Sequence, residues 1–401
     1  MLESAIPPHL QRPRTCPARL PHDAFEPPNA AYCARFPESI TELVMATICA
    51  QARSPAAELS PAADVLAPVI AFLEHADGKD GSGDGNGEEE GQEEKSTLRP
   101  SAFDLISFRD AAGHHNVGVI AYWPGGRAVF ERWAEASGFE AWWRGLEDGS
   151  SPSSPTSPTS SSSGTGEKKE TDVGWFREVF FPSLDRYETV FSNQEAGEEG
   201  AARMRAGMSG PVREHVYWGS MRDRMPASQV DGLEGEKVTS EGEQHEATTE
   251  RQNSRVVVPG KKNLCVIRSG QDWSAMLPAE RKLYLETMHP VLVKGMDFLR
   301  DEGRTIGCHS CRFVDELDVG DERKETERTF GFAFFEDMES LEKWSKSHRT
   351  HLDIFGRFLQ YVKELDGNIS LRLFHEVLVL KPEQQLLEYV KCHPKTGLMG
   401  V

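Results

Sequence analysis

The sequence lacks the long apolar segments that a membrane protein needs. None of its apolar runs approaches the roughly 18 to 20 residues that span a bilayer. Its first residues, MLESAIPPHLQRPRTCPARLP, contain no continuous apolar stretch of the kind found in secretory signals. Cysteine is scarce, because the seven cysteines among 401 residues are odd in number and form no dense framework, which suits a reducing compartment. We therefore expect a cytoplasmic protein without a membrane partner.

An excess of positive charge is missing as well. The chain has 45 Lys and Arg against 64 Asp and Glu, which gives a net charge of -19. Nucleic acids and anionic membrane surfaces attract basic proteins, so the charge argues against both as partners. The glycine patterns of Rossmann and Walker sites do not occur either, which argues against nicotinamide and nucleotide chemistry.

Three segments are too polar to contribute to a hydrophobic core. Residues 77–97, 148–172 and 232–254 are rich in Gly, Ser, Pro, Glu and Thr. Such segments bury too little apolar surface to offset the entropy lost on ordering. We predict that all three are disordered insertions at the surface.

Two stretches of the remaining sequence share one order of elements. Residues 118–143 and residues 331–355 each run from a Gly-led apolar strand through a turn into a helix that ends near a Trp, and then into a second apolar helix. Aligning Trp133 with Trp344 superposes Phe130 on Leu341. With the strands predicted around them, each half follows the β-α-β-β-α-β order of the split βαβ motif.

This duplication predicts an α+β fold in which two ferredoxin-like halves close together as a pseudo-symmetric barrel. We place the division near residue 260. Residues 1–260 contain an N-terminal region, the first half and the insertions, whereas residues 261–401 form the second half.

One histidine lies in line with the apolar face of a predicted helix. In SHRTHLDIFGRFLQYV, residues 347–362, apolar residues recur from His351 at the spacing of a helix packed on one side. The repeat aligns His351 with Glu140, so only the second half has a histidine at this position. If His351 binds a group, the protein binds one copy of it. His348, one turn earlier, is the alternative ligand.

A second histidine lies on a predicted strand, ISLRLFHEVLVL. With a period of two, His375 is the one polar side chain on a face otherwise formed by apolar residues. A lone histidine in such a place is more often a hydrogen-bonded core residue than a functional one. Two of them in the same half are better explained by an apolar cavity with a few convergent polar groups.

Four motifs carry a resemblance to a known family. GMSGPVREHVYWGSMRDRMP, MDFLRDEGRTIGC, SHRTHLDIFGRF and LRLFHEVLVL occur in this order and resemble the haem-containing aldoxime dehydratases, including the phenylacetaldoxime dehydratases. The resemblance covers nearly the whole chain apart from the three insertions. The family is similar in fold to the dimeric α/β barrel haem proteins, which agrees with the duplication.

The resemblance implies a role for four residues. His351 in SHRTHLDIF would be the axial ligand of a single haem b, and His375 in LFHEV would be the distal acid and base. Ser220 in YWGSMRDR would be the distal hydrogen-bonding serine. The distal arginine of the family matches best at Arg177 in WFREVF, with Arg186 close by as the alternative.

The implied reaction converts an aldoxime, R-CH=N-OH, to a nitrile and water, with the oxime nitrogen bound to ferrous haem iron and no net redox change. A homodimer is implied as well. Two other functions stay open: a haem peroxidase or chlorite-decomposing enzyme of similar architecture, and a haem carrier or sensor without catalysis. No single residue sets the preference between aliphatic and aromatic aldoximes.

Overall fold

The computed structural model describes residues 2–20, 27, 29–74, 98–147, 173–195, 199–215, 220–237, 254–318 and 325–401. The predicted insertions 77–97 and 148–172 lie outside these residues, as does most of 232–254. The segment 232–237 is described, and the prediction of disorder is wrong for it. Leu233 is fully buried, and the carbonyl of Gly232 accepts a hydrogen bond of 2.7 Å from Arg222, so this segment is anchored by contacts that its polar composition does not reveal.

Most strands of the described residues join one antiparallel sheet. A two-stranded sheet is formed by β1 and β7, and the other eleven strands stand in the order β6-β12-β9-β11-β10-β3-β4-β2-β5-β13-β8. The strands are β1 (Ala34–Arg35), β2 (Leu43–Ala52), β3 (Ala102–Arg109), β4 (His115–Pro124), β5 (Val173–Phe180), β6 (Tyr187–Phe191), β7 (Gly207–Met208), β8 (Arg255–Val258), β9 (Leu264–Asp272), β10 (Cys308–Leu317), β11 (Glu325–Phe335), β12 (Arg372–Leu380) and β13 (Gln385–Val390).

The helices lie between the strands of each half. One helix of the second half has a π-helical turn, Tyr284–Met288, between its two α-helical parts. The α-helices are α1 (Ala62–Glu74), α2 (Arg127–Ala136), α3 (Phe139–Gly145), α4 (Met221–Arg224), α5 (Pro278–Leu283), α6 (His289–Asp301), α7 (Met338–Ser347) and α8 (Arg349–Glu364). None of the helices in the described part of the chain combines the length and apolar composition that crossing a bilayer requires.

Both halves repeat one strand order. Across the sheet, the first half has the order β3-β4-β2-β5 and the second half has β10-β11-β9-β12. If the four strands of each half are numbered along the chain, both halves show the order 2-3-1-4. The two halves meet where β3 pairs with β10. Each also receives a strand from the other side of residue 260, because β6 pairs with β12 and β13 pairs with β5.

The sheet curls so that one face of both halves encloses a shared core. Phe180 of the first half contacts Phe334 of the second at 6.0 Å between ring centroids. Inside this core, Arg312 on β10 donates hydrogen bonds of 2.7 and 2.6 Å to the carboxylate of Glu178 on β5. Either charge would be costly to bury without its partner. The pair therefore links the two halves across the interior.

The outer faces of the two halves differ. In the first half, α1, α2 and α3 cover the sheet, and buried aromatic side chains of α2 and α3, including Trp133, Phe139 and Trp143, contact one another and Trp123 of β4. In the second half, Leu352 and Leu359 of α8 are exposed, and Tyr361 is the one fully covered side chain of that helix. The part of the predicted apolar stripe formed by Ile354, Phe355 and Phe358 lines a cavity rather than a packed core.

Candidate functional site

The cavity lies between the second half of the sheet and its helices. Its empty space is about 1030 Å³ when the open solvent at its mouth is included. We call its two sides the sheet wall and the helix wall. The sheet wall includes Ile267, Ser269, Gln271, Leu373 and His375, and the helix wall includes Tyr284, Met288, Met296, His351, Ile354 and Phe358.

His351 lies on the helix wall, in the first turn of α8. Its ring packs edge-on against Trp344 at 4.6 Å between centroids and donates a hydrogen bond to the backbone carbonyl of Ser345. Burial lowers the pKa of His351 to about 4, although the bond to Ser345 opposes the shift. The imidazole is therefore neutral at neutral pH, and the bond to Ser345 orients it in the way that an outer hydrogen bond orients a metal-ligating histidine.

His348 does not line the cavity. It caps the N-terminus of α8, where its Nδ1 atom accepts a hydrogen bond from the amide of Thr350. Its ring stacks on Phe298 at 4.3 Å between centroids. His348 thus has a structural role in starting the helix, and of the two histidines only His351 reaches the cavity.

Ser269 and His375 are neighbours on the sheet wall. They are directly opposite each other in the pairing of β9 with β12, and side chains at paired positions of adjacent strands point to the same face. Both line the cavity. The register therefore places a hydroxyl beside the imidazole, opposite the wall that carries His351.

The buried ion pair of Glu188 and Arg224 contacts the ring of His375. Its Nε2 atom lies 2.9 Å from Oε1 of Glu188 and 3.0 Å from Nη2 of Arg224. Arg224 donates a further hydrogen bond of 2.9 Å from Nε to Glu188, and all three side chains are almost completely buried. The register explains the contact, since Glu188 on β6 pairs with Val377, two residues from His375 and on the same face of the sheet.

Glu188, Arg224 and burial together shift the pKa of His375, and Arg224 and His375 shift that of Glu188. Burial lowers the pKa of His375, and Glu188 opposes the shift by favouring the protonated ring. Burial would raise the pKa of Glu188, but Arg224 and His375 outweigh it and the pKa is lowered. Glu188 therefore stays ionised next to His375 and can stabilise a proton on its ring.

The N-terminal segment and α4 complete the support. Arg224 is the last residue of α4, and its Nη1 atom donates a hydrogen bond of 2.9 Å to the backbone carbonyl of Glu214. The carboxylate of Glu214 in turn accepts a hydrogen bond of 2.7 Å from the amide of Ala5. The position of Arg224 thus depends on residues far away in the sequence.

Two residues expected at the site are elsewhere. Ser220 lies at the start of α4 and is not part of either wall, although the next residue, Met221, is. Arg177 forms ion pairs with Glu140 of the first half and with Glu388 of β13, the strand that pairs with β5. The alternative, Arg186, hydrogen-bonds to Asn263 at 2.8 Å and does not reach the cavity. The structure thus brings neither Ser220 nor Arg177 to His375, and the serine and arginine beside His375 are Ser269 and Arg224.

The duplication explains why Arg177 looks like a site residue. In the first half Arg177 stands opposite Ile48, just as His375 stands opposite Ser269 in the second. Its partner Glu140 occupies the place that the repeat assigns to His351. The first half thus fills the equivalent space with an ion pair and aromatic rings, and the second half leaves it open.

The residues that sequence reasoning missed carry only weak signals. Ser269 lies in VIRSGQD, where Ile267, Ser269 and Gln271 share one face of a strand, but nothing local shows that this face lines a cavity. Glu188 and Arg224 meet His375 through strand pairing and a loop, so their contact is not visible along the chain.

The cavity fits a metal held by one protein ligand. Within the described residues, no group of three or more His, Cys, Asp or Glu side chains could hold a metal ion, so His351 would be a single ligand. Haem iron is held in this way by one axial histidine, with the macrocycle providing the other ligands. The apolar walls suit the flat face of such a macrocycle.

Comparison with known proteins also points to a haem-binding protein. A profile described as haem-containing dehydratase matches residues 156–398. The aliphatic aldoxime dehydratase of a Pseudomonas species is 35% identical over 398 residues, which are 99% of this chain and 98% of that protein. The aliphatic aldoxime dehydratase of Rhodococcus erythropolis is 34% identical over 401 residues, with the same coverage of both chains. A phenylacetaldoxime dehydratase of a Bacillus species, strain OxB-1, is 30% identical over 304 residues, or 75% of this chain and 78% of that protein.

Solved structures agree in fold over the whole chain. The crystal structure of an aldoxime dehydratase in complex with butyraldoxime matches with a TM-score of 0.79 at 32% identity, covering 99% of this chain and 96% of that one. A second aldoxime dehydratase crystal structure matches with a TM-score of 0.77 at 31% identity, covering 99% and 98%. The chain therefore belongs to the haem-containing dehydratases, and within them to the aldoxime dehydratases.

Proposed function

We propose that the cavity binds haem b with His351 as its axial ligand, and that the protein uses it to convert aldoximes to nitriles and water. The observation that carries this proposal is that His351 and the pair of Ser269 and His375 line opposite walls of one apolar cavity. An axial ligand on one side and a proton donor on the other are what the reaction needs on the two faces of a haem.

When bound, haem supplies a metal centre that coordinates the oxime nitrogen and contributes electron density as the N-O bond breaks. The chain's own residues handle the oxygen and the protons. Ser269 donates a hydrogen bond to the oxime hydroxyl and holds its oxygen beside His375. His375 gives a proton to this oxygen, which leaves as water, and then takes the proton from the oxime carbon, so that its protonation state is restored.

Glu188 and Arg224 prepare His375 for both steps. Glu188 lies 2.9 Å from Nε2 and stabilises the protonated ring, whereas Arg224 keeps Glu188 ionised through its hydrogen bond of 2.9 Å. Removing Arg224 would leave a buried carboxylate without its cation, which is costly. We therefore assign to Arg224 the positioning role that the resemblance had suggested for Arg177.

The relatives support an aliphatic substrate. The aliphatic aldoxime dehydratases match 99% of this chain, whereas the phenylacetaldoxime dehydratase matches 75%. We propose that short aliphatic aldoximes such as butyraldoxime are substrates, bound against the apolar walls, which exclude water from the reacting oxime.

The strand orders β3-β4-β2-β5 and β10-β11-β9-β12 support the description of the chain as two ferredoxin-like halves, arranged as in the dimeric α/β barrel proteins. The division near residue 260 belongs to the same proposal. A homodimer and a cytoplasmic location stay predictions from the sequence.

The proposed activity is tested by nitrile formation from butyraldoxime. We expect the haem-loaded protein to form butyronitrile anaerobically when dithionite reduces the iron, and to form little without the reductant, because the oxime nitrogen binds the ferrous state. Phenylacetaldoxime serves as the comparison substrate. A haem-loaded protein that forms nitrile from neither aldoxime under reducing conditions would shift the function to a peroxidase or a haem sensor.

The axial ligand is tested by replacing each histidine of α8 in turn. His351→Ala is expected to lose haem during gel filtration, because its only protein ligand is gone, and added imidazole should restore haem binding. His348→Ala should keep its haem and lose only the helix cap, at a cost of about 1 kcal/mol in the free energy of unfolding. Haem retained by His351→Ala and lost by His348→Ala would reverse the assignment.

The distal residues are tested by paired substitutions. His375→Ala is expected to lower kcat by about 10²- to 10⁴-fold, the usual contribution of a positioned acid-base group. Ser269→Ala should lower it by about 10²- to 10³-fold, as for removal of a donor aimed at developing charge. Ser220→Ala and Arg177→Lys are the matched controls and should keep the parent kcat, whereas Arg224→Lys should not. All variants should retain haem, as measured by its absorption, and equal losses in control and test variants would contradict the assignment.

A further inference from the structure

The helix wall of the cavity contains a π-helical turn. It spans Tyr284–Met288, between α5 and α6, and the amide of His289 bonds to the carbonyl of Tyr284 five residues earlier. Its cause is local, because Pro290 has no amide hydrogen and its ring clashes with the carbonyl of Glu286 in a regular helix. Both Tyr284 and Met288 line the cavity. Single π-helical turns are rare and occur frequently at functional sites.

Tyr284 has a buried hydroxyl without a hydrogen bond. The residue is 1% exposed, and within the described part of the chain its hydroxyl oxygen has no hydrogen-bond partner. Its ring neighbours are Trp273 at 5.4 Å, His289 at 5.8 Å and Tyr361 at 6.4 Å between centroids. Buried tyrosines usually find a hydrogen-bond partner, and an unsatisfied buried donor is destabilising. Burial also raises the pKa of Tyr284, so the hydroxyl keeps its proton.

The neighbouring Tyr361 has a hydroxyl that is hydrogen-bonded, as is usual for a buried tyrosine. Tyr361 donates a hydrogen bond of 2.7 Å to Glu280, and the same carboxylate accepts bonds from the amides of Ser370 and Leu371. Tyr361 does not line the cavity. Of the two tyrosines, the one that lines the cavity is therefore the one with an unsatisfied hydroxyl, which indicates that its acceptor comes with the molecule bound there.

The position of Tyr284 identifies this acceptor. Tyr284 packs with Tyr361 and the partly buried Phe358 at one end of the cavity. Phe358 follows His351 by seven residues on α8, or roughly 10 Å along the helix axis. This end of the cavity therefore lies about half the width of a tetrapyrrole from His351. That distance is too large for Tyr284 to contact an oxime bound at the iron. Haem b carries its oxygen atoms in two propionate side chains at its edge.

The lining of the cavity also favours a neutral hydrogen-bond donor as the partner of a haem propionate. The cavity lining includes no Lys or Arg among the described residues. A hydrogen bond between a neutral donor and an ionised acceptor is shorter and stronger than one between two neutral groups. A tyrosine hydroxyl can thus stabilise a propionate where no cation lies in the wall.

We propose that the Tyr284 hydroxyl donates a hydrogen bond to a propionate of the bound haem, at the end of the cavity between the π-helical turn and the start of β12. This inference rests on the proposed function, which places haem in the cavity. The turn set by Pro290 presents the donor, and the donor fixes how the haem sits between His351 and the sheet wall.

Haem dissociation tests the proposal without an activity assay. The rate of haem transfer to excess apomyoglobin is measured for the parent protein and for Tyr284→Phe, each loaded with haem b or with its dimethyl ester. Tyr284→Phe is expected to release haem b about tenfold faster or more, from the usual strength of a hydrogen bond to a charged group. With the ester, whose carbonyl oxygen is a neutral and weaker acceptor than the carboxylate, the two proteins should differ clearly less in their rates of haem release.

Tyr361→Phe is the matched control, because it removes a hydroxyl from the same cluster but outside the lining, and it should keep the parent rate for haem b. Apo Tyr284→Phe should unfold at the same denaturant midpoint as the apo parent or at a higher one, since it loses an unsatisfied group. Equal acceleration with acid and ester haem, an unchanged rate with haem b, or a lower apo midpoint would each overturn the proposal. Failure of the proposed function would instead appear as loss of the difference between His351→Ala and His348→Ala in haem retention.

Discussion

The contact of Glu188 and Arg224 with Nε2 of His375 is the constraint on which the site depends. It brings together an edge strand, a four-residue helix and the last long strand of the chain, and all three charged or titratable side chains are buried. A buried pair of this kind adds little stability over an apolar replacement, but the loss of one partner is strongly destabilising. The segments that hold the pair are therefore fixed with it, including Glu214 and the N-terminal Ala5 that bonds to it. The N-terminal segment, which has no part in either half of the duplication, supports the site from a distance.

The second constraint is the difference between two halves of similar topology. Trp133, Phe139 and Trp143 fill the first half, and the ion pair of Arg177 and Glu140 occupies the place where the second half presents His375 and His351. A cavity lined by apolar groups loses the packing energy that the filled half retains. The duplication thus separates the two tasks, with a filled half that contributes stability and an open half that binds a ligand. Among the described residues, the same asymmetry explains why the site lies in the second half and has no counterpart in the first.

Much of the architecture could be predicted because periodicity is a local property. The strands around His375 and Ser269, the long helix up to Asp301 and the apolar stripe of α8 follow from spacing alone, and His351 and His375 stand out because each interrupts an apolar face. The partners of His375 could not be predicted in this way. Ser269 lies beside it only through the register of β9 and β12, and Arg224 only through the loop before α4. The local sequence of Arg177, FREV, repeats the pattern FHEV around His375, whereas its surroundings in the structure do not repeat those of His375. Tyr284 could not be singled out either, since the unsatisfied state of its hydroxyl is a property of the packed structure.

The most direct test of this account is a crystal structure of the reduced, haem-loaded protein with butyraldoxime. We expect an imidazole nitrogen of His351 to be bonded to the iron, and the oxime oxygen to lie within hydrogen-bond distance of the Ser269 hydroxyl and next to His375. An iron ligated by His348, or an oxime oxygen held by Ser220 or Arg177, would contradict it.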